Sequence, residues 1–236
     1  LGWVFDHISV LNLPVILCAL LCVLSAVCLS IPNRLIHKHH EHNQTLAAIF
    51  RQPGVVLFFV ATLLYQMSHG IYYGFYSIYL HQHGYSASVI GALWTLGVAA
   101  EIVLFWYLPK FLPRLNLPRA ACFCMLVAAV RWALLSVVAD CWALLIVLQL
   151  FHAITFGLFH ASSVQFIRQR FGDHLQGQGQ ALYGAIGYGL GGAAGLWICG
   201  LLWQQNSHWA FLFAVFAAFS AALVQLWGVY SEQRTD

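Results

Sequence analysis

Apolar and polar positions along the chain sort into long apolar runs separated by short polar breaks. Seven runs stand out: 11–30, 54–80, 88–109, 120–138, 141–165, 178–203 and 208–230. As a helix rising about 1.5 Å per residue, each is long enough to cross the ~30 Å hydrocarbon layer of a bilayer. Lipid offers no partners to backbone N–H and C=O groups, so such spans must be helices that pair these groups internally. The pattern predicts an all-α integral membrane protein. The longest polar stretch, 31–52, divides one span from the six that follow.

Charge gives this ladder a direction. Arg34, Lys38 and Arg51 lie in the long polar stretch, Lys110, Arg114 and Arg119 two connections later, Arg168 and Arg170 two later again, and Arg234 in the tail. The alternate connections, at Asp6–His7, 81–87, Ala139–Asp140 and 204–207, hold no Lys or Arg. Cytoplasmic loops carry the excess of basic residues, so these loops and the C-terminus are expected inside. Trp106, Trp142, Trp203, Trp209 and Trp227 fall near span ends, where an aromatic belt meets the membrane interface.

Composition removes competing classes. The chain is 61% hydrophobic and 7% charged, where a soluble domain carries about 25% charged residues. Cys18, Cys22, Cys28, Cys122, Cys124, Cys141 and Cys199 fall in or beside apolar runs without metal-ligand spacing. They read as small buried hydrophobes, and neither disulfides nor a structural metal is expected. His37, His39, His40 and His42 read as part of a solvated linker, with a metal-binding tract as the alternative. The opening LGWVFDH reads as the tail of an earlier span with no signal-peptide pattern, so a fragment lacking its N-terminal part is expected.

The chemistry concentrates in 65–105 and two later spans. Glu101 lies deep in an apolar run, where a carboxylate costs roughly 2.5–3.5 kcal/mol on insertion scales and belongs in a cavity. At about 100° per residue, Tyr65, Gln66, His69, Tyr72, Tyr73 and Tyr76 fall within an arc of roughly 120°. Each has a polar tip that lipid cannot satisfy, which favours a cavity lining over an aromatic packing stripe. Trp94, Gly97 and Glu101 share a face of the next span. Arg131, inside CFCMLVAAVRWALLSVV, must pair or meet water, and its candidate partners are Glu101 and an anionic substrate. Gln149, His152, Phe159, His160 and Ser163 share one face of the span from 141, with Thr155 off it. Gly187, Gly191 and Gly195 recur every four residues, a helix-packing device that lets another helix approach closely.

The stretches HGIYYGFYSIYLHQHGYSASVIGALWTLGVAAEIVLF, AAVRWALLSV and LQLFHAITFGLFHASSVQFI resemble the C-terminal half of a major facilitator superfamily transporter. The likeness is to the phenylpropionate permease family, a relative of the lactose permease branch, and runs over about residues 1–230. It implies a partial major facilitator fold, spans six to twelve of twelve, with substrate held near the midplane between two halves. Residues 1–30 would close the N-terminal half, with the sixth span at 11–30. Residues 31–52 would form the central cytoplasmic loop, 53–230 the C-terminal six-helix bundle and 231–236 a cytoplasmic tail. By similarity to the lactose permease branch, Glu101 matches the substrate-binding acid of the eighth span, Arg131 the buried arginine of the ninth and His152 the histidine of the tenth. One departure is Thr155, which stands where that branch carries its proton-bearing carboxylate; the proton then falls to Glu101 or to the other half.

The expectation is a secondary active transporter of the bacterial inner membrane, a proton symporter importing a small aromatic acid such as 3-phenylpropionate by alternating access. Substrate binding or proton coupling is assigned to Glu101, Arg131, His152, His160, His69, Gln66, Tyr73, Tyr76 and Trp94. The tyrosines and Trp94 would contact the ring, and Arg131, His69 or His152 the carboxylate. The alternative is a proton-coupled sugar or nucleoside transporter. An intramembrane enzyme is the remote one, since no HExxH, paired aspartates or Ser–His motif sits at a span. Expected partners are the substrate, the bilayer and the missing N-terminal half. The complete protein is expected to be a monomer without nucleic acid or cofactor, the proton being the coupling ion.

Overall fold

The computed structural model describes residues 13–30, 45–52 and 54–233. The histidines at 37, 39, 40 and 42, the Asp6–His7 connection and the basic residues Arg34, Lys38 and Arg234 lie outside the described residues. The chain divides into two compact units, Leu1–Asn43 and Gln44–Asp236. In the first, α1 (Leu13–Ser30) is an apolar helix coinciding with the first predicted run. Its Ser25 and Ser30 hydroxyls donate back to the Leu21 and Val27 carbonyls at 2.8 and 2.7 Å, hiding their polarity within the helix itself.

The second unit opens with α2 (Leu46–Phe50), a short helix inside the stretch expected to be loop. Its cause is local: Thr45 caps it, accepting from the Ala48 N–H at 3.3 Å, and LAAIF then buries Ile49 and sets Phe50 against Phe59 and Phe171. Then come α3 (Val55–Ser68) and α4 (Gly70–Gln82), which together make one crossing broken at His69. A turn at Gly84, with φ of 83°, leads to α5 (Ala87–Phe111), started by Ser86, whose hydroxyl accepts from the Val89 N–H. Asn116 caps α6 (Leu117–Leu135) in the same way, with Pro118 in the first turn, where its missing N–H costs nothing.

The remaining chain is α7 (Trp142–Leu150), a π-helical turn at Ala153–Leu158, α8 (Phe159–Tyr183), a second π-helical stretch at Gly184–Gly191, α9 (Gly192–Gln205) and α10 (Ser207–Gln233). The run Trp142–Gln205 is 64 residues long, about 96 Å as a straight helix and three times the membrane core. It is two crossings. Gly172, at φ 62° and ψ 179°, stands in a region that only glycine populates, and the chain reverses there. Residues paired about that point touch across the hairpin: Gln180 Nε2 donates to the Val164 carbonyl at 3.4 Å, and His160 reaches the Tyr183 hydroxyl at 3.3 Å. The polar connection expected between these spans is thus helix up to a single-residue break. Five apolar helical runs, one of them doubled, make six crossings among the described residues of this unit.

Alternation of direction puts Arg51, Lys110, Arg114, Arg119, Arg168 and Arg170 at one end of the bundle, and His81, His83, Asp140 and His208 at the other. Packing follows residue size. On α10, Ala210, Ala214, Ala218, Ala221 and Ala222 are buried, while Phe216, Phe219, Leu223 and Trp227 face outward as a lipid-facing surface would. The stripe Gly187, Gly191 and Gly195 lies against α3 and the break. A Cβ on Gly195 would sit 2.2 Å from the Met67 carbonyl oxygen, and one on Gly70 would sit 2.3 Å from the Gly195 carbonyl carbon. The two backbones cross here in direct contact.

Candidate functional site

Four crossings converge on Arg131. Its side chain, from α6, is buried at 1% exposure. Nη1 donates to Thr155 Oγ1 at 3.0 Å and to His152 Nδ1 at 3.3 Å, and Nη2 donates to Gln149 Oε1 at 3.3 Å. The guanidinium lies 4.6 Å from the Tyr72 ring centre and 4.8 Å from that of Trp132, flanked by two π faces in a low-dielectric interior. The Tyr72 hydroxyl closes the network by donating to Gln149 Oε1 at 2.9 Å.

Glu101 reaches this network through His152. Its Oε1 lies 2.7 Å from His152 Nε2, and the carboxylate retains 13% exposure. Arg131 has only donors, so His152 Nδ1 must accept and Nε2 must carry the hydrogen given to Glu101. The imidazole therefore joins one buried cation and one buried anion as a neutral bridge. Gly97 makes room for it: a Cβ there would lie 3.3 Å from Gln149 Oε1 and 3.4 Å from His152 Cδ2. The π-helical turn after His152 turns Thr155 inward to Arg131, and the Tyr65 hydroxyl donates to the Thr155 carbonyl.

Aromatic rings surround this centre. Trp94 packs on Tyr72 at 4.5 Å and Tyr73 at 6.2 Å between ring centres, and its indole N–H donates to Ser77 Oγ at 3.0 Å. Phe156 stacks on His152 at 5.4 Å and on His160 at 6.1 Å. Two buried groups near the Tyr72–Trp132 sandwich have no partner, Arg131 Nε and His69 Nε2. Each leaves hydrogen-bonding capacity unused, at a cost of about 1–3 kcal/mol in an apolar interior.

The predicted residues divide into groups. Glu101, Arg131 and His152 meet in one network, but Arg131 bonds His152 and not the acid itself. The stripe from Tyr65 to Tyr76 splits at the helix break. Tyr65, Gln66 and Tyr72 are buried, and His69 donates through Nδ1 to the Tyr65 carbonyl at 3.0 Å. Tyr76 packs beside Tyr72, while Tyr73 is half-exposed. His160 stands apart, with Nδ1 at 3.3 and 3.2 Å from the Tyr183 and Tyr188 hydroxyls. Trp132 and Phe156 were not singled out from the sequence. Phe156 had a usable signal, one turn from both His152 and His160. Trp132 had none, because its neighbour Arg131 projects from a different angle of the helix. Among the described residues no group of three or more His, Cys, Asp or Glu is placed to hold a metal ion.

A bundle of apolar crossings around a buried charged network defines a multi-pass membrane protein with a polar centre. The chain belongs to the MFS_1 like family, whose model matches residues 1–214. It is 32% identical over 169 residues to the probable 3-phenylpropionic acid transporter of Escherichia coli K12, covering 71% of this chain and 44% of that protein. It is 22% identical over 212 residues to the uncharacterized transporter YwbF of Bacillus subtilis 168, covering 90% of this chain and 52% of that protein. The chain thus spans about half the length of the curated relatives it matches. No solved structure matches.

Proposed function

We propose that this chain forms the polar centre of a proton symporter in the bacterial inner membrane that imports a small aromatic carboxylic acid, with its basic loops and C-terminus in the cytoplasm. The observation that carries the reading is the buried Arg131, packed between the Tyr72 and Trp132 rings with its Nε–H unpaired and tied to Glu101 only through neutral His152. A carboxylate matches the guanidinium fork, and Trp94, Tyr73 and Phe156 supply ring faces. The name of the Escherichia coli relative favours the same substrate class.

Charge bookkeeping supplies the coupling. With Glu101 ionised, the network is already neutral and an incoming anion meets its negative charge. A proton on the carboxylate oxygen turned away from His152 removes that charge and keeps the imidazole bond. Arg131 is then unbalanced and attracts the substrate carboxylate. Proton and anion enter together and leave together. Alternating access would come from the two halves of the full-length protein moving against each other.

The test is uptake of labelled 3-phenylpropionate, set against a sugar and a nucleoside, in cells expressing the full-length protein with and without an uncoupler. Accumulation of the acid that collapses with the uncoupler is expected. Uptake of the sugar or nucleoside alone moves the substrate class to the alternative, and uptake of none of the three refutes both.

A further inference from the structure

Among the described residues three histidines lie along the crossings away from their ends, and their bonds set them apart. His152 offers Nδ1 to Arg131 and Nε2–H to Glu101, so it takes a second proton only by turning an N–H toward a guanidinium. His69 is 1% exposed and donates Nδ1–H to the Tyr65 carbonyl, which seals Nε2 inside the protein. His160 has neither constraint. It is partly exposed, its Nδ1 meets two neutral phenols, and it lies two turns further toward the basic end than His152.

Glu101 lies close by. A Cβ on Gly157 would meet its Cγ at 3.6 Å, and Gly157 is three residues before His160 on the same crossing. The Phe156 ring fills the space between the two imidazoles, nearly parallel to both at 18° and 6°. Titratable groups facing His160 are Tyr183 and Tyr188 on the returning crossing and Glu101 on α5. From α6, Arg131 is held at Thr155, and from α3, Tyr65 turns to the Thr155 carbonyl.

We propose that His160 is the proton-release station: it accepts the proton from Glu101 once substrate has left and passes it to water at the basic end. In this step the Glu101 O–H bond breaks and an imidazole N–H bond forms, giving carboxylate and imidazolium. The imidazolium then gives the same proton to water. Phe156 stands between His160 and His152, so Glu101 alone connects the release station to the Arg131 network. The inference rests on the symport reading above.

The test uses the full-length protein inserted with its basic end outward in liposomes loaded with labelled substrate, comparing equilibrium exchange with net efflux and following external pH. Exchange needs no deprotonation, and net efflux does. For His160→Gln the ratio of net efflux to exchange should fall about tenfold or more, as for loss of a proton-transfer group. For Tyr188→Phe, which removes a phenol 3.2 Å from Nδ1, the pH of half-maximal efflux should move by about 0.3 unit or more while exchange persists. An unchanged ratio in His160→Gln, or equal loss of exchange and efflux, overturns the role of His160, as does an unmoved pH profile in Tyr188→Phe. Efflux without a pH change in the wild type defeats the symport reading itself, a distinct result.

Discussion

At the scale of single residues, the network around Arg131 is a balance of charges more than a sum of bonds. Removing the cation leaves Glu101 as an uncompensated buried charge, which typically costs about 3–5 kcal/mol. Arg131→Met should therefore lower stability to denaturant in detergent by that order, and adding Glu101→Gln should restore a large part of it. A double mutant no more stable than Arg131→Met would mean that the two charges do not feel each other through His152. Arg131→Lys keeps the charge but cannot bond Thr155, His152 and Gln149 at once. It should fold and lose at least about tenfold in substrate affinity, one charged hydrogen bond of roughly 1.5–3 kcal/mol, read by isothermal titration. Glu101 and Arg131 were legible in the sequence because an ionised group inside an apolar run has few explanations. Their mutual arrangement was not, since a residue's neighbours depend on how crossings rotate against each other, and that is set by packing many residues away.

At the scale of elements, glycine decides where helices touch and turn. Gly195 meets the Met67 backbone, which cannot move aside as a side chain would. Gly195→Ala should force α9 from α3 and destabilise by about 1–3 kcal/mol. Gly184→Ala, with nothing within 4 Å of the added carbon, should stay within roughly 0.5 kcal/mol of wild type. Thermal unfolding in detergent compares the pair, and equal losses would remove close approach as the cause. The four-residue spacing of Gly187, Gly191 and Gly195 showed this face in advance. The short helix α2 and the helical continuation of both crossings up to a one-residue break at Gly172 were not visible, because a polar stretch without marked periodicity reads as loop. The break at His69 was hidden for a different reason: YQMSHGIYYG carries no proline and no charge to end a helix, and only the backbone contact between Gly70 and Gly195 marks where the crossing bends.

At the scale of the whole molecule, the six crossings of the second unit put the basic residues of the described chain, Arg131 apart, at one end. Arg114→Cys and His83→Cys should be labelled by an impermeant thiol reagent from opposite membrane faces, His83→Cys from outside in intact cells. Labelling of both from one side contradicts the alternation. The number of crossings after residue 54 could be read from hydropathy because the bilayer imposes one length on each of them; their direction is the part the labelling experiment tests. The neutral His152 between one buried cation and one buried anion has an electrical consequence. A membrane potential does work on whatever net charge crosses it, about 2.3 kcal/mol per elementary charge per 100 mV. A centre whose charges cancel, and which takes on one proton with one monoanion, crosses with no net charge. Uptake would then draw on the pH difference alone, and clamping the voltage with a potassium ionophore would leave its rate unchanged.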